Sequence, residues 1–347
     1  MMISTVIALV IYLGIVFFAN ASDVRSALER FQFSWLIAVL LLSLASYGVR
    51  ALRWNYYLVR LGVNMNHRLM LLLYFAGLSM LITPAMISGV VKVGLVKVRE
   101  GAELSRTLPI VVVERLTDLV GMRGLAMFGI LFFKLGYLSI VGTIVFLIIT
   151  IGIIQVPALR NTVLNFLAHI PGLRNHIESV KRLLDSAQTL LDREALVMGS
   201  FFGFVSWGLA GLALYVLTIG FGMDLTLPET FFIMAFPAIL GVMSQLPGGI
   251  GIEEGTMISL LDRKDIEFAD ATALVLLFRL VTLWFGLAIG LVSLSIFSHE
   301  IRGFHKDQIQ ESEEDEEEKG KKGEEIGGDE ERGEKEEEIE REGEVKK

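Results

Sequence analysis

The sequence contains no cysteine in 347 residues, so disulfides and thiol catalysis are excluded and the redox compartment cannot be read from it. Histidine is scarce as well. The five present (His67, His169, His176, His299 and His305) are scattered without metal-ligand spacing, so no metal site is expected. No glycine-rich phosphate loop follows a strand pattern, and no cofactor is implied. Charged residues make up only 20%, against 53% hydrophobic, which is wrong for a soluble chain of this length. These absences leave one class: an all-α polytopic membrane helix bundle.

The net charge of −8 is unevenly placed. Residues Lys306–Lys347 hold 20 acidic and 9 basic side chains, a net of −11, which leaves residues 1–305 with 19 acidic and 22 basic, a net of +3. The Glu/Lys/Gly repeats beyond Lys306 have no apolar period. Residues 306–347 should therefore form a disordered acidic tail, after a membrane domain of residues 1–305. Nucleic acid is not an expected partner; a membrane lipid is.

A hydrocarbon core of about 30 Å takes about 20 apolar residues in a helix. Six stretches fit: Ile3–Ala19, Trp35–Val49, Leu108–Phe133, Tyr137–Val156, Ala195–Phe221 and Ala271–Phe297. The first ends in Ala19-Asn20-Ala21, similar to a signal-peptide cleavage site. It lacks a basic leader and further spans follow, so it reads as an uncleaved helix. Two more apolar stretches are interrupted. Leu69–Thr83 meets Pro84 and Ser88-Gly89 before continuing to Val98, and Phe231–Leu246 meets Pro247-Gly248-Gly249-Ile250-Gly251 before a short helix to Leu261. Proline removes a backbone donor and glycine does not resist bending. Irregular backbone survives at membrane depth only against protein or a wet cavity. Both stretches read as re-entrant hairpins or broken helices, giving about eight membrane segments; a pair of ordinary short spans in each is the plainer alternative.

With the N-terminus inside, 14 Lys/Arg fall in cytoplasmic segments and five (Arg25, Arg30, Lys134, Arg263 and Lys264) outside. That bias describes a multi-pass cell-membrane protein with N-terminus and tail in the cytoplasm. The same parity brings the two broken elements in from opposite faces, the pattern of an inverted-repeat transporter. The loop Pro157–Glu194 places Ile177, Val180, Leu184, Ala187 and Leu191 on one helical face. That helix could lie on anionic lipid or pack against a neighbouring loop.

Charge inside the apolar runs is the chemical signal. Glu114-Arg115-Leu-Thr-Asp118 opens the Leu108–Phe133 span, with Arg123 further in. Arg279 lies deep in Ala271–Phe297, Lys92 follows the first break, and Glu253-Glu254 follow the second, where carboxylates can cap the next helix. A charge at mid-bilayer costs roughly 2.5–3.5 kcal/mol even on lenient scales, so these groups should pair or face water. Either an ion-pair network locks the bundle, or Arg115, Arg123, Arg279 and Lys92 hold a phosphate with the carboxylates as counter-charges. Arg50 and Arg53 flank Trp54 and read as snorkelling anchors at the interface, with a headgroup contact as the lesser alternative.

Five motifs in order resemble the transmembrane region of lysylphosphatidylglycerol synthases. They are Arg50-Ala-Leu-Arg-Trp54; Thr83-Pro84 with the glycine and basic residue beyond; Glu114-Arg-Leu-Thr-Asp118; Leu246-Pro-Gly-Gly-Ile-Gly-Ile-Glu-Glu254; and Leu277-Phe-Arg-Leu-Val-Thr-Leu-Trp284. The resemblance spans residues 1–300. Val90 and Glu253 depart from the family pattern, so the carry-over is firm for Glu114, Arg115, Asp118, Gly248, Gly249, Glu254 and Arg279, and loose for Gly89 and Lys92. It implies a lipid flippase-like region; the soluble aminoacyl-transfer domain of the synthases has no counterpart in these residues. Three functions compete: translocation of a polar-headed lipid, phospholipid or isoprenoid-phosphate-linked glycolipid; membrane-embedded catalysis with Glu114 or Glu254 as base; and a non-catalytic partner of a glycosyltransferase. Without a catalytic dyad or metal cluster, an enzyme is the weakest reading.

The orientation is checked by a cysteine introduced at Arg182, which should stay unlabelled by an impermeant thiol reagent applied to intact cells. Labelling from outside would reverse the topology.

Overall fold

The computed structural model describes residues 20–83, 85–133 and 177–299, with the isolated positions 145, 156, 159 and 162. The expected span Ile3–Ala19, nearly all of Tyr137–Val156, Pro84 and the acidic tail lie outside the described residues. The chain divides into two units, Met1–Ser295 and Ile296–Lys347, and the site described below belongs to the first.

Every regular element among the described residues is helical. A short amphipathic helix α1 (Ala21–Arg30) precedes α2 (Trp35–Arg60). The first broken element follows as α3 (His67–Gly77), a 3-10 turn (Leu78–Met80) and α4 (Ala85–Glu100). Then come α5 (Leu104–Thr107), α6 (Pro109–Phe133), α7 (Ile177–Leu190) and α8 (Arg193–Gly220). The second broken element is α9 (Leu227–Ser244), a 3-10 turn (Pro247–Gly249) and α10 (Ile252–Asp262). The helix α11 (Phe268–His299) closes the described part.

Four of these, α2, α8, α9 and α11, are long and apolar enough to cross a membrane. α2 runs well past Val49, where charge was expected to stop it, because Arg53 is buried and Arg50 is half-buried against Trp207. At 18 residues, about 27 Å, α9 is long enough to cross by itself, although it was expected as half of a hairpin. The 14 apolar residues His67–Met80 reach only about 21 Å, too short for a hydrocarbon core of about 30 Å.

Helix ends are closed by short-range polar contacts. Asp192 accepts a hydrogen bond from the Ala195 amide at 2.7 Å to start α8, while Arg60 of α2 pairs with it at 2.5 Å. That amide, with Arg60 beside it, holds the Asp192 carboxyl below its ordinary range. Glu229 accepts from the Thr226 amide at 2.8 Å to start α9, and Lys264 beyond α10 pairs with Glu229 at 2.5 Å. The amphipathic helix α7 buries Ala187, Leu190 and Leu191 and packs on α5 and α6, so the neighbouring-element alternative applies to this face.

The breaks differ in how they turn. In the first, the helix tightens through Leu78–Met80 and the chain turns at Leu81–Thr83; Gly89, expected in the break, lies inside α4 against Val111. In the second, Gln245, Gly248, Gly249 and Gly251 all have positive φ, 55° to 90°, which glycine tolerates at three of the four positions. The tips meet: Ile82, Ile250 and Leu283 of α11 form one apolar cluster.

The bundle centre is α8, with α2 on one side and α6 on another, and α9 against α6 and α8. The close approach comes from Gly199-Ser-Phe-Phe-Gly203, a small-residue spacing that lets membrane helices touch through their backbones. A methyl carbon on Gly203 would sit 2.6 Å from the Thr117 carbonyl oxygen, and one on Gly121 would sit 2.6 Å from the Gly203 carbonyl carbon. Neither neighbour can yield without moving a helix. Gly203→Ala should therefore lower the melting temperature in detergent, with overpacking worth about 1–3 kcal/mol. Gly255→Ala, which meets open space, should not.

Candidate functional site

The deep charges sort into two clusters on either side of one cavity. On α11, Arg279 is 5% exposed and holds two carboxylates, Glu253 and Glu254, each at 2.6 Å. It also donates to the Gly248 carbonyl oxygen at 2.5 Å, a group that the break leaves outside any helix ladder. Glu254, fully buried, also accepts the Gly251 amide at 2.6 Å and so caps α10. Of the carboxylates singled out in the sequence, Glu114 and Asp118 pair elsewhere, and Glu253 and Glu254 both pair with Arg279, since both sit in the first turn of α10 facing α11.

α11 is α-helical to Arg279 and then winds as a π-turn over Leu280–Trp284. The Tyr47 hydroxyl of α2 donates to the Thr282 carbonyl in this turn, and the Thr282 hydroxyl donates to the Phe278 carbonyl at 2.7 Å. Single π-turns inside α-helices recur at functional sites.

The second cluster joins α2, α4, α6 and α8. Arg53 is 1% exposed, pairs with Asp118 at 2.8 Å and donates to the Thr117 hydroxyl at 3.2 Å. This corrects the interfacial-anchor reading: Trp54 beside it is fully buried too, and the charge is neutralised within the bundle rather than at the headgroups. Arg115 reaches the other Asp118 oxygen at 3.4 Å, and the Trp207 indole N–H donates to Asp118 at 3.1 Å. Lys92 pairs with Glu114 at 2.8 Å, with its ammonium 4.8 Å from the Tyr74 ring centre and 5.7 Å from that of Trp54. Gly77 on α3 makes room for the Lys92 stem.

Between the clusters lies a cavity of about 160 Å³. Both breaks open onto it, the first through Leu81 and Thr83 and the second through Gln245, Leu246, Gly248 and Gly249. Its polar wall carries Arg50, Arg115, Arg279 and Glu253; its apolar wall is Ala210, Met234, Ala238, Val242, Met257 and Phe278. Of the expected headgroup residues, Arg115 and Arg279 line it directly, Asp118 and Glu254 stand behind as their counter-charges, and Glu114 and Lys92 pair with each other away from its lining. Arg123, eight residues or about 12 Å along α6 from Arg115, is buried but does not line it. Arg50, Tyr47 and Ser43 line it and were not among the expected headgroup residues, and Glu253, expected as a helix-capping carboxylate, lines it too. The signal for Arg50 and Ser43 was their spacing on α2: Ser43, Tyr47 and Arg50 fall at helical intervals on one face. No group of His, Asp and Glu suited to a metal occurs among the described residues.

Comparison with known proteins supplies a lineage for this geometry. A family model described as the lysylphosphatidylglycerol synthase TM region matches residues 5–290. A UPF0104 membrane protein of Methanothermobacter thermautotrophicus is 22% identical over 313 residues, covering 85% of this chain and 93% of that protein. A shorter match to a UPF0104 membrane protein of the same organism is 25% identical over 112 residues, 32% of this chain and about a third (33%) of that relative's length. A UPF0104 membrane protein of Methanocaldococcus jannaschii is 24% identical over 207 residues, covering 58% of this chain and 86% of that protein.

The two glutamates on Arg279 should separate under substitution. Glu254→Gln removes a charge from a fully buried site that also caps α10, and should lower the melting temperature clearly. Glu253→Gln, on the cavity wall with a side chain 17% exposed, should lower it less. Equal losses would mean that both carboxylates serve only the fold.

Proposed function

We propose a function from the premise that this chain belongs to the lysylphosphatidylglycerol synthase TM-region family. It is a multi-pass integral membrane protein. In our reading it moves a polar-headed lipid, a phospholipid or an isoprenoid-phosphate-linked glycolipid, from one leaflet to the other. The observation that carries this is the convergence of both broken elements on one cavity lined by three arginines and by apolar side chains. Broken helices meeting around a site near mid-membrane are how secondary transporters expose a polar group to either face. Arginine's planar fork suits phosphate oxygens. Glu253 then serves as the internal stand-in: it occupies Arg279 in the empty site and yields when an anionic headgroup arrives.

The membrane is the cell membrane, with both termini in the cytoplasm. Arg53 and Lys92 are internally paired and leave the Lys/Arg tally, yet twelve against five still favours that orientation.

Leaflet exchange of a labelled phospholipid in proteoliposomes tests the function. Arg279→Lys keeps the charge but cannot hold Glu253, Glu254 and the Gly248 carbonyl together. It should insert and melt as a folded protein while exchange falls at least tenfold. If it exchanges lipid like wild type, or if every Arg279 variant fails only by misfolding, the cluster is a structural lock. The role of non-catalytic membrane partner then takes over.

A further inference from the structure

Arg50 is the one cavity-wall arginine with no hydrogen bond or ion pair among the described residues; its guanidinium instead stacks over the Trp207 ring, 4.2 Å from the centroid. Trp207 is itself fixed by Asp118, which Arg53 and Arg115 hold from two sides. The fork is therefore presented on a rigid plate with its hydrogen-bonding edge unused. One turn or two along the same helix face, Ser43 is 2% exposed, lines the cavity, and its hydroxyl has no partner. The charge sum agrees. The cavity wall and the groups paired to it contain five cations (Arg50, Arg53, Lys92, Arg115 and Arg279) and four carboxylates (Glu114, Asp118, Glu253 and Glu254). Lys92 and Glu114 cancel as a pair, which leaves an excess of one positive charge. Arg50, half-buried against Trp207, carries the charge that none of these carboxylates pairs with, and an anion in the cavity would neutralise it.

We propose that Arg50, backed by Trp207 and joined by Ser43, is the binding site for a monoanionic phosphodiester. This deepens the translocation reading, on which it rests for its physiological setting. A single excess charge matches a diester and not a phosphomonoester or diphosphate, which would leave negative charge buried. Donors from α2, α6 and α11 surround the space, which suits a tetrahedral group better than a planar carboxylate. Removing Arg50 strands no carboxylate, in contrast to Arg53 or Arg279, so its variants should fold.

The experiment measures thermal stabilisation of the detergent-purified full chain by dimethyl phosphate, inorganic phosphate and acetate, since a ligand of the folded state raises the melting temperature by mass action. Dimethyl phosphate should stabilise wild type. Arg50→Gln should weaken that binding at least tenfold, with Arg50→Lys in between and Ser43→Ala about threefold weaker. If Arg50→Gln does not fold, Arg50→Lys and Ser43→Ala carry the comparison. Equal binding by wild type and these variants overturns the site. Inorganic phosphate as its dianion, or acetate, binding as tightly as the diester overturns the assignment of the ligand. The source is resolved by dihexanoylphosphatidylglycerol against glycerophosphoglycerol. Tenfold tighter binding of the former supports a lipid headgroup, and equal binding supports a free phosphodiester at the same Arg50 site. Diester binding that depends on Arg50, in a protein that shows no leaflet exchange, would support the site and sink the translocation reading alone.

Discussion

Arg279 lies inside a 32-residue apolar helix, where an uncompensated charge would cost roughly 2.5–3.5 kcal/mol or more, and the architecture around the second break follows from neutralising it. A guanidinium has five donors, and a continuous neighbouring helix can answer them only with side chains, because helical carbonyls are already engaged. Breaking α9 from α10 supplies what is missing. The turn frees the Gly248 carbonyl, and the first turn of α10 brings two adjacent glutamates to the same guanidinium. Gly248 and Gly249 take positive φ to make that turn, and Gly249 and Gly241 also leave space for the Glu253 carboxylate. The break, the glycines and the glutamates are thus one device.

The second cluster obeys the same constraint with a different outcome. Arg53 and Asp118 are buried deeper and are bound by Thr117, Trp207 and Arg115 as well as by each other. Removing either partner leaves an uncompensated interior charge, which typically costs about 3–5 kcal/mol. The helix of Asp118, α6, is also held at backbone contact with α8 by Gly121 and Gly203, and Gly203 lies against the Arg53 guanidinium, so the pair has little room to rearrange. This half of the polar interior is a lock. The cavity half, where Glu253 faces open space, is the part with alternatives.

Much of this was legible in the sequence because charge within an apolar run is conspicuous. Glu114, Asp118, Glu254 and Arg279 were picked out on that ground alone, and Pro247-Gly-Gly-Ile-Gly marked the break that the backbone shows. What stayed hidden has a common cause. Arg50 and Arg53 stand where an apolar run gives way to Trp54 and Tyr56, and at such a boundary a buried arginine and a snorkelling one have the same local signature. Only the partner on α6, over 60 residues away, distinguishes them. The choice of Glu253 alongside Glu254 is likewise set by which face of α10 meets α11. The Gly199/Gly203 contact was missed because, in a chain with 34 glycines, the spacing gains meaning only when the facing helix is known.

The three wall arginines differ in commitment, and this graded pairing reconciles a structural network with a binding site. Arg115 shares Asp118 with Arg53, Arg279 divides itself between a capping glutamate and a cavity-facing one, and Arg50 holds only an aromatic face. Under the proposed assignment, a bound diester brings the group to neutrality, whereas the empty site carries one positive charge. In a low-dielectric interior, a state of zero net charge excludes water at less cost than a charged one. Occupancy of the Arg50 site and exclusion of water from the cavity therefore favour each other. The tips meet through the apolar side chains of Ile82, Ile250 and Leu283, and the Ser79 backbone lies against Gly290 of α11, so the first break is seated on the helix that carries Arg279 and packing keeps water out there.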